Sequence, residues 1–296
     1  MCMKRVLVTG ATGLIGKESV GPLLAAGFEV FAITTKEQPP LNGVHWLRGS
    51  LFDDGFVRET VASTKPTHLL NLAWATTGDY LTNDVNYRFL SAGELLARSF
   101  VTVGGLRAVY AGSCFEYRLK GTPLRECDPL ESERNVYTKC KNALRLSAEQ
   151  IFKSGGVSFG FGRIFYAYGR GEARTRLTGL ILDHARNGEK LVIKSGPLRK
   201  DYIYAKDIAN AFVALLDSPI EGVVNIGTGR TVTIREFALK LASKLGCSDM
   251  LVFEDDCATQ PSCVVADTTR LMEEVGYHPH YGLEEAFDEI VRYEEE

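Results

Sequence analysis

The sequence predicts a doubly wound α/β fold with a smaller C-terminal lobe, and three observations carry that expectation. Near-continuous apolar runs of strand length alternate with helix-like amphipathic segments as far as Arg163. The first run ends in a glycine-punctuated turn, Thr9-Gly10-Ala11-Thr12-Gly13-Leu14-Ile15-Gly16. Beyond Arg163 the alternation loosens into shorter runs separated by polar turns. Strands that are apolar along their whole length belong to a parallel sheet covered on both faces. Such sheets bind their ligands at the carboxyl ends of the strands.

The expected strands are Arg5–Thr9, Glu29–Ile33, Val44–Leu47, His68–Ala73, Arg107–Gly112 and Ser158–Arg163, with helices between them. Leu14 to Ala26 reads as the first helix, ended by Gly27, and Gly21-Pro22 should kink it. Leu90–Val103 and Tyr137–Phe152 are long helical segments. A basic loop at 170–176 is followed by a helix over Leu177–Asn187, a strand over Lys190–Lys194 and a turn at Ser195-Gly196-Pro197. Asp201–Tyr204, a helix over Asp207–Asp217 and the strand Gly222–Ile226 come next, then helices near Ile234–Leu245 and Leu283–Glu295. The acidic Glu294-Glu295-Glu296 opposes its helix dipole and should fray into solvent. No repeat or low-complexity linker interrupts the chain. The expected division is a sheet domain over 1–165, also receiving segments near 198–228, and a mainly cap-like lobe over 166–296.

The chain of 296 residues is 45% hydrophobic and 24% charged, the composition of a globular protein with a large core. With 34 basic and 37 acidic residues its net charge is −3, which argues against nucleic acid as a partner and requires any anion to be held locally. Seven cysteines, at 2, 114, 127, 140, 247, 257 and 263, form no CxxC pair, as expected of thiols in a reducing cytoplasm. Cys257 and Cys263 lack the neighbours a zinc site needs. No apolar run approaches membrane-spanning length, so no membrane association is expected.

The glycine turn has the form of a dinucleotide pyrophosphate site. Gly10 permits the tight turn, Gly13 lets the main chain approach the phosphates, and Gly16 lets the helix pack on the strand with its positive N-terminus at the anion. Thr12, Leu14 and Ile15 lie within the same contact set. Tyr137 and Lys141, four residues apart on a helical segment, share one face. An ammonium beside a phenol brings an otherwise weak acid toward working range. Ser113, straight after the fifth strand, places a hydroxyl at the same sheet edge.

These residues together resemble the extended short-chain dehydrogenase/reductases that act as sugar-nucleotide epimerases, dehydratases and reductases. TGxxGxxG is present as Thr9-Gly10, Gly13 and Gly16, the serine as Ser113, and YxxxK as Tyr137 and Lys141. Asn86 resembles the family's asparagine near the lysine, Arg163 with Tyr168-Gly169 its R-x-x-x-x-Y-G stretch, and Val224-Asn225-Ile226-Gly227 its Y-N-I-G motif. The resemblance implies a Rossmann-type sheet with a substrate-binding cap and hydride chemistry at a bound nicotinamide. It implies that Tyr137 exchanges a proton with the substrate oxygen, Ser113 hydrogen-bonds that oxygen, and Lys141 holds the nicotinamide ribose. It also implies a homodimer built through the two long helical segments.

Departures from the family narrow the reaction. The second strand ends in Ile33-Thr34-Thr35-Lys36 without the acid that NAD enzymes place there, so NADP(H) is favoured over NAD(H), with those polar residues on the phosphate side. Ser50-Leu51 replaces an Asp-Ile/Leu pair, leaving Leu51 to pack the adenine, and Asn71-Leu72-Ala73-Trp74 replaces His-x-Ala beside the cofactor. Cys114-Phe115 stands where dehydratases carry Asp-Glu, which disfavours dehydration. Trp74, Cys114 and Tyr166 are candidates for the substrate cleft. Among the cap's basic residues, Arg170, Arg174, Arg176, Arg199, Lys200 and Arg230 are candidates for a substrate diphosphate, Arg174 and Arg199 foremost. The expected activity is NADPH-dependent reduction of a nucleotide-linked keto-deoxysugar, most plausibly at C4. The alternatives are an NAD-dependent sugar-nucleotide 4-epimerase and a non-catalytic dinucleotide sensor.

Overall fold

The computed structural model describes residues 4–131, 134–254 and 262–295. β1 (Lys4–Thr9) enters the glycine turn and α1 (Gly16–Ala25), and β2 (Phe28–Thr34) and β3 (Val44–Arg48) follow. α2 (Asp54–Thr64), β4 (His68–Asn71), α3 (Val85–Thr102), β5 (Arg107–Ser113), α4 (Val136–Ser154) and β6 (Ser158–Ile164) continue the alternation. The chain then leaves the sheet through β7 (Tyr166–Tyr168), α5 (Leu177–Asn187), β8 (Leu191–Lys194), β9 (Arg199–Lys200) and β10 (Tyr202–Tyr204). α6 (Ala205–Asp217) and β11 (Gly222–Ile226) return to it. β12 (Val232–Thr233), α7 (Ile234–Lys244), β13 (Leu251–Glu254), β14 (Cys263–Val264) and α8 (Leu283–Glu295) finish the second lobe.

The expected doubly wound α/β architecture is the one the chain adopts. Seven parallel strands lie in the order β11-β6-β5-β4-β1-β2-β3, so the winding reverses between β1 and β4 and leaves a crevice there. Both faces are covered because alternate residues of each strand meet helices. Val6, Val8, Val30 and Val109 pack with Leu23 of α1 and Phe212 of α6. Leu7, Leu69 and Phe161 pack with Phe100 of α3 and Phe152 of α4. A third apolar cluster, including Ile181, Phe237 and Phe287, holds the second lobe together.

Several local expectations change. α1 continues through Pro22 and ends one turn later, the proline removing only the N–H that would have met the Glu18 carbonyl. β4 stops at Asn71 rather than Ala73, since Leu72 and Ala73 leave the ladder to face the crevice. Glu294 does not fray into solvent: its carboxylate accepts hydrogen bonds from Arg174 and Arg186, and α8 runs to Glu295. Glu296, Cys2 and Cys257 lie outside the described residues, and Cys114, Cys127, Cys140, Cys247 and Cys263 are free thiols. Among the described residues no helix is long and apolar enough to cross a membrane.

Candidate active site

A cavity of about 750 Å³ opens at the carboxyl ends of the strands and continues under the second lobe. Its sheet half is built from main chain and compact residues. Gly10 sits at φ +70°, and a Cβ there would come within 2.8 Å of the Ala73 nitrogen. At Gly16 a Cβ would lie 2.0 Å from the Gly10 carbonyl oxygen. Gly13 N–H closes the turn onto that same oxygen at 3.0 Å. Thr9 Oγ1 donates to Asn71 Oδ1 at 2.6 Å and accepts from Ala73 N–H at 3.3 Å, holding the exit of β4 against β1. Gly10, Thr12, Gly13, Leu14, Ile15 and Gly16 all line the cavity, with Leu72 and Ala73 opposite. A bare main-chain surface at the head of α1 fits a pyrophosphate, so these residues suit the dinucleotide the glycine turn implied.

Thr34 and Thr35 line the cavity with Leu51 and Phe52. The Thr34 hydroxyl is turned into its own loop, accepting from Lys36 N–H at 3.1 Å, and Lys36 is exposed outside the lining. That leaves Thr35 as the strand-tip side chain both exposed and on the cavity wall.

Asn135 caps α4 by accepting from Thr138 N–H at 2.9 Å, which sets Tyr137 and Lys141 on its buried face. Tyr137 and Ser113 both line the cavity, the serine hydroxyl close enough to act on the phenol. Burial pushes the Tyr137 phenol above its ordinary value, and the bond with Ser113 works against that. Lys141 departs from the expected arrangement. Its Nζ donates to the Ala111 carbonyl at 2.7 Å and lies 4.0 Å from the Trp74 ring centre, outside the cavity lining. Burial draws it down to about 7, the Glu116 carboxylate opposing the shift. Desolvation is the largest influence on the Tyr137 phenol, and Lys141 is not among the groups that shift it.

Ser113 is fixed from behind. Its N–H donates to Glu116 Oε1 at 2.7 Å, and Glu116 Oε2 accepts from Arg163 Nε at 2.9 Å. Both charged side chains are buried, with the guanidinium 4.3 Å from the Tyr117 ring centre. Asn86 is buried, and its amide serves Trp74 Nε1 at 2.7 Å and the carbonyls of Tyr80 and Asn83 rather than the cavity.

The cap half is made of side chains. Trp74, Cys114 and Tyr166 line the cavity as expected, and burial pushes the Cys114 thiol up to about 12, favouring its protonated form. Arg174 and Arg199 stand outside the lining. Arg174 pairs with Asp183 and Glu294, and Arg199 Nε donates to Thr231 Oγ1 at 3.0 Å. Arg170 is taken up by Glu18, leaving Arg176 as the lining member of the expected basic set. Lys194 and Glu172 also line the cavity, as do Leu180, Ile193, Tyr202 and Ile234. Sequence reasoning missed all six. The one available signal was the acid of Arg-Gly-Glu-Ala-Arg-Thr-Arg, absorbed into a loop read as basic.

Residues 6–227 match the model of the NAD dependent epimerase/dehydratase family. The chain belongs to that family. This member is 23% identical to the dTDP-4-dehydro-6-deoxyglucose reductase of Escherichia coli, the match covering 97% of this chain and 96% of the relative. It is 28% identical to the dTDP-6-deoxy-L-talose 4-dehydrogenase (NAD(P)(+)) of Kitasatospora kifunensis, over 97% and 94%. Its fold superposes on that of UDP-glucose 4-epimerase with UDP-glucose from Thermotoga maritima, with a TM-score of 0.87, 19% identity and 98% of each chain covered. It is accordingly an enzyme of the oxidoreductase/epimerase type.

Proposed function

We propose that this enzyme reduces a nucleotide-linked 4-keto-deoxysugar with NADPH. The observation that carries the reading is the Ser113–Tyr137 pair, set where the glycine-lined half of the cavity meets the cap half, with burial keeping the phenol protonated. A nicotinamide dinucleotide held at Gly10, Gly13 and Gly16 would supply the hydride for the carbonyl carbon. Ser113 hydrogen-bonds the carbonyl oxygen and Tyr137 delivers its proton to that oxygen as negative charge develops. Glu116 and Arg163 hold the backbone at Ser113. A protonated phenol is the form that donates to an oxygen on which negative charge develops. The reductase among the relatives supports the same direction, and Cys114-Phe115 offers no carboxylates for dehydration.

NADPH is favoured because Thr34, Thr35 and Lys36 put no carboxylate at the tip of β2. We also infer a dinucleotide domain over 1–165 with the segments near 198–228, a mainly substrate-binding cap over 166–296, and a cytoplasmic enzyme. A homodimer through α3 and α4 is supported by Tyr87 and Leu146, large side chains left about half exposed on those helices. Light scattering of the full chain should give the dimer mass.

The testing experiment titrates NADPH and NADH and measures turnover of 4-keto sugars by wild type and Tyr137→Phe. NADPH should bind more tightly, and the variant should keep NADPH affinity while losing about 10²–10⁴-fold in turnover. Preference for NADH together with net conversion of a 4-hydroxy epimer would favour the epimerase. Near-normal reduction by Tyr137→Phe would remove the proposed mechanism.

A further inference from the structure

The proton-donating phenol is fixed from a side that the Ser113 contact does not cover. Tyr137 lies in the first turn of α4, where its N–H has no partner within the helix, and it donates instead to the Leu81 carbonyl at 3.1 Å. Two aromatic residues on the same connection, between β4 and α3, meet the phenol ring itself. The Tyr80 ring lies 5.2 Å from it at 90°, and the Trp74 ring 6.2 Å from it at 87°. Edge-to-face pairs are directional, so two of them restrict how the ring can tilt. All three rings line the cavity.

Both of those residues are held by one side chain. Asn86, fully buried at the start of α3, accepts from Trp74 Nε1 at 2.7 Å, and its Nδ2 donates to the Tyr80 and Asn83 carbonyls at 2.7 Å each. An indole N–H can only donate and a carbonyl can only accept, so a single orientation of the amide serves all three. Both N–H groups of the amide are used, and Asn86 is not part of the cavity wall. Phe89, one turn along α3, supports the indole further, its ring stacked at 5.3 Å and 24°. One buried amide therefore sets the connection that carries the Leu81 carbonyl and both rings.

We propose that Asn86 is a positioning residue for the proton transfer: through Trp74 and the Tyr80 carbonyl it holds the two rings that aim the Tyr137 hydroxyl at the substrate oxygen, an inference that rests on the reductase reading above. This role is distinct from the dinucleotide contact that the resemblance implied for Asn86. A proton donor must stay within hydrogen-bond reach of the reacting oxygen, and displacing it by about 1 Å can cost about 100-fold in rate. Releasing the two rings slows the proton step and leaves the glycine-lined dinucleotide site as it was.

The test combines Asn86→Leu and Trp74→Phe with Tyr137→Phe in the full chain, using NADPH and the dTDP-, UDP- and GDP-linked 4-dehydro-6-deoxyhexoses as probes. Trp74→Phe keeps a ring but loses the bond to Asn86. Asn86→Leu should lower kcat about tenfold and Trp74→Phe by less, with NADPH affinity within about twofold of wild type. In the Tyr137→Phe background neither should lower kcat further, because the hydroxyl they aim is gone. An unchanged kcat overturns the proposal, and so do equal fold losses in both backgrounds, since the two residues then act without the phenol. A rise in NADPH Kd with kcat unchanged overturns it as well, being the mark of a dinucleotide contact. These three outcomes leave the reductase reading intact. Should Asn86→Leu fail to fold, Trp74→Phe in the two backgrounds decides by the same comparison. Near-normal reduction by Tyr137→Phe alone, or a wild-type chain that reduces none of the probes, overturns the reductase reading and this proposal with it.

Discussion

The sheet half and the cap half of the cavity are made of different material. In the sheet half the wall is backbone, shaped by Gly10, Gly13 and Gly16 within one turn and steadied by Thr9 and Asn71. In the cap half the wall is side chains from β7, α5, β8, β10 and α7, brought together by an apolar cluster with no contiguous motif. A backbone wall tolerates almost no change because every added atom meets main chain. A side-chain wall can be altered residue by residue without disturbing the strands, which lets one sheet serve many substrates.

That contrast predicts a graded series of substitutions. The largest effect is expected at Gly16, where even a Cβ would sit 2.0 Å from the Gly10 carbonyl. Gly16→Val should abolish dinucleotide binding, at least about 100-fold by fluorescence titration, and lower the unfolding temperature. A variant with wild-type affinity would break the distinction between the halves. Next is Arg163→Met, which leaves the Glu116 carboxylate buried without its counter-ion and should cost about 3–5 kcal/mol in denaturant unfolding. The smallest effect is expected in the outer cap. Arg174→Ala should change substrate KM by less than about threefold, because Arg174 and its partners Asp183 and Glu294 all lie outside the cavity lining. A tenfold rise in KM would return Arg174 to the substrate and redraw the cap.

Legibility in the sequence follows the same division. The seven sheet strands were readable because most are buried on both faces and so largely apolar, and their helices because those carry apolar stripes. The glycine turn, Ser113 and Tyr137 were readable since their spacing is local to a strand end or one helical face. The strand-length ribbons β7, β9, β10, β12 and β14 were not fully readable, since two- and three-residue strands carry too little pattern. The basic residues of the cap misled because charge in a sequence does not say which acid will take it up. Arg170 was taken by Glu18, 152 residues away, and Arg174 by Glu294, 120 residues away. Burial of Lys141 under Trp74 was equally invisible, since a YxxxK spacing fixes a face and not the solvent on it.

The seat of β11 has a consequence for how the molecule is made. This strand pairs along β6 from Gly222 to Ile226, yet the cap elements β7 to β10 are synthesised between the two. Buried Arg107 fastens the same region, its guanidinium donating to Ser158 at 2.7 Å and to the Leu215 carbonyl at 2.8 Å. A nascent chain that has emerged only as far as β10 therefore carries β6 as an open edge, with the backbone of Phe161 and Gly162 unpaired and available to another chain. The seven-stranded sheet is completed only by a long-range closure late in translation, a slow step of high contact order. Shortened forms that end before β11 should consequently accumulate as aggregates, however complete their glycine turn and α4.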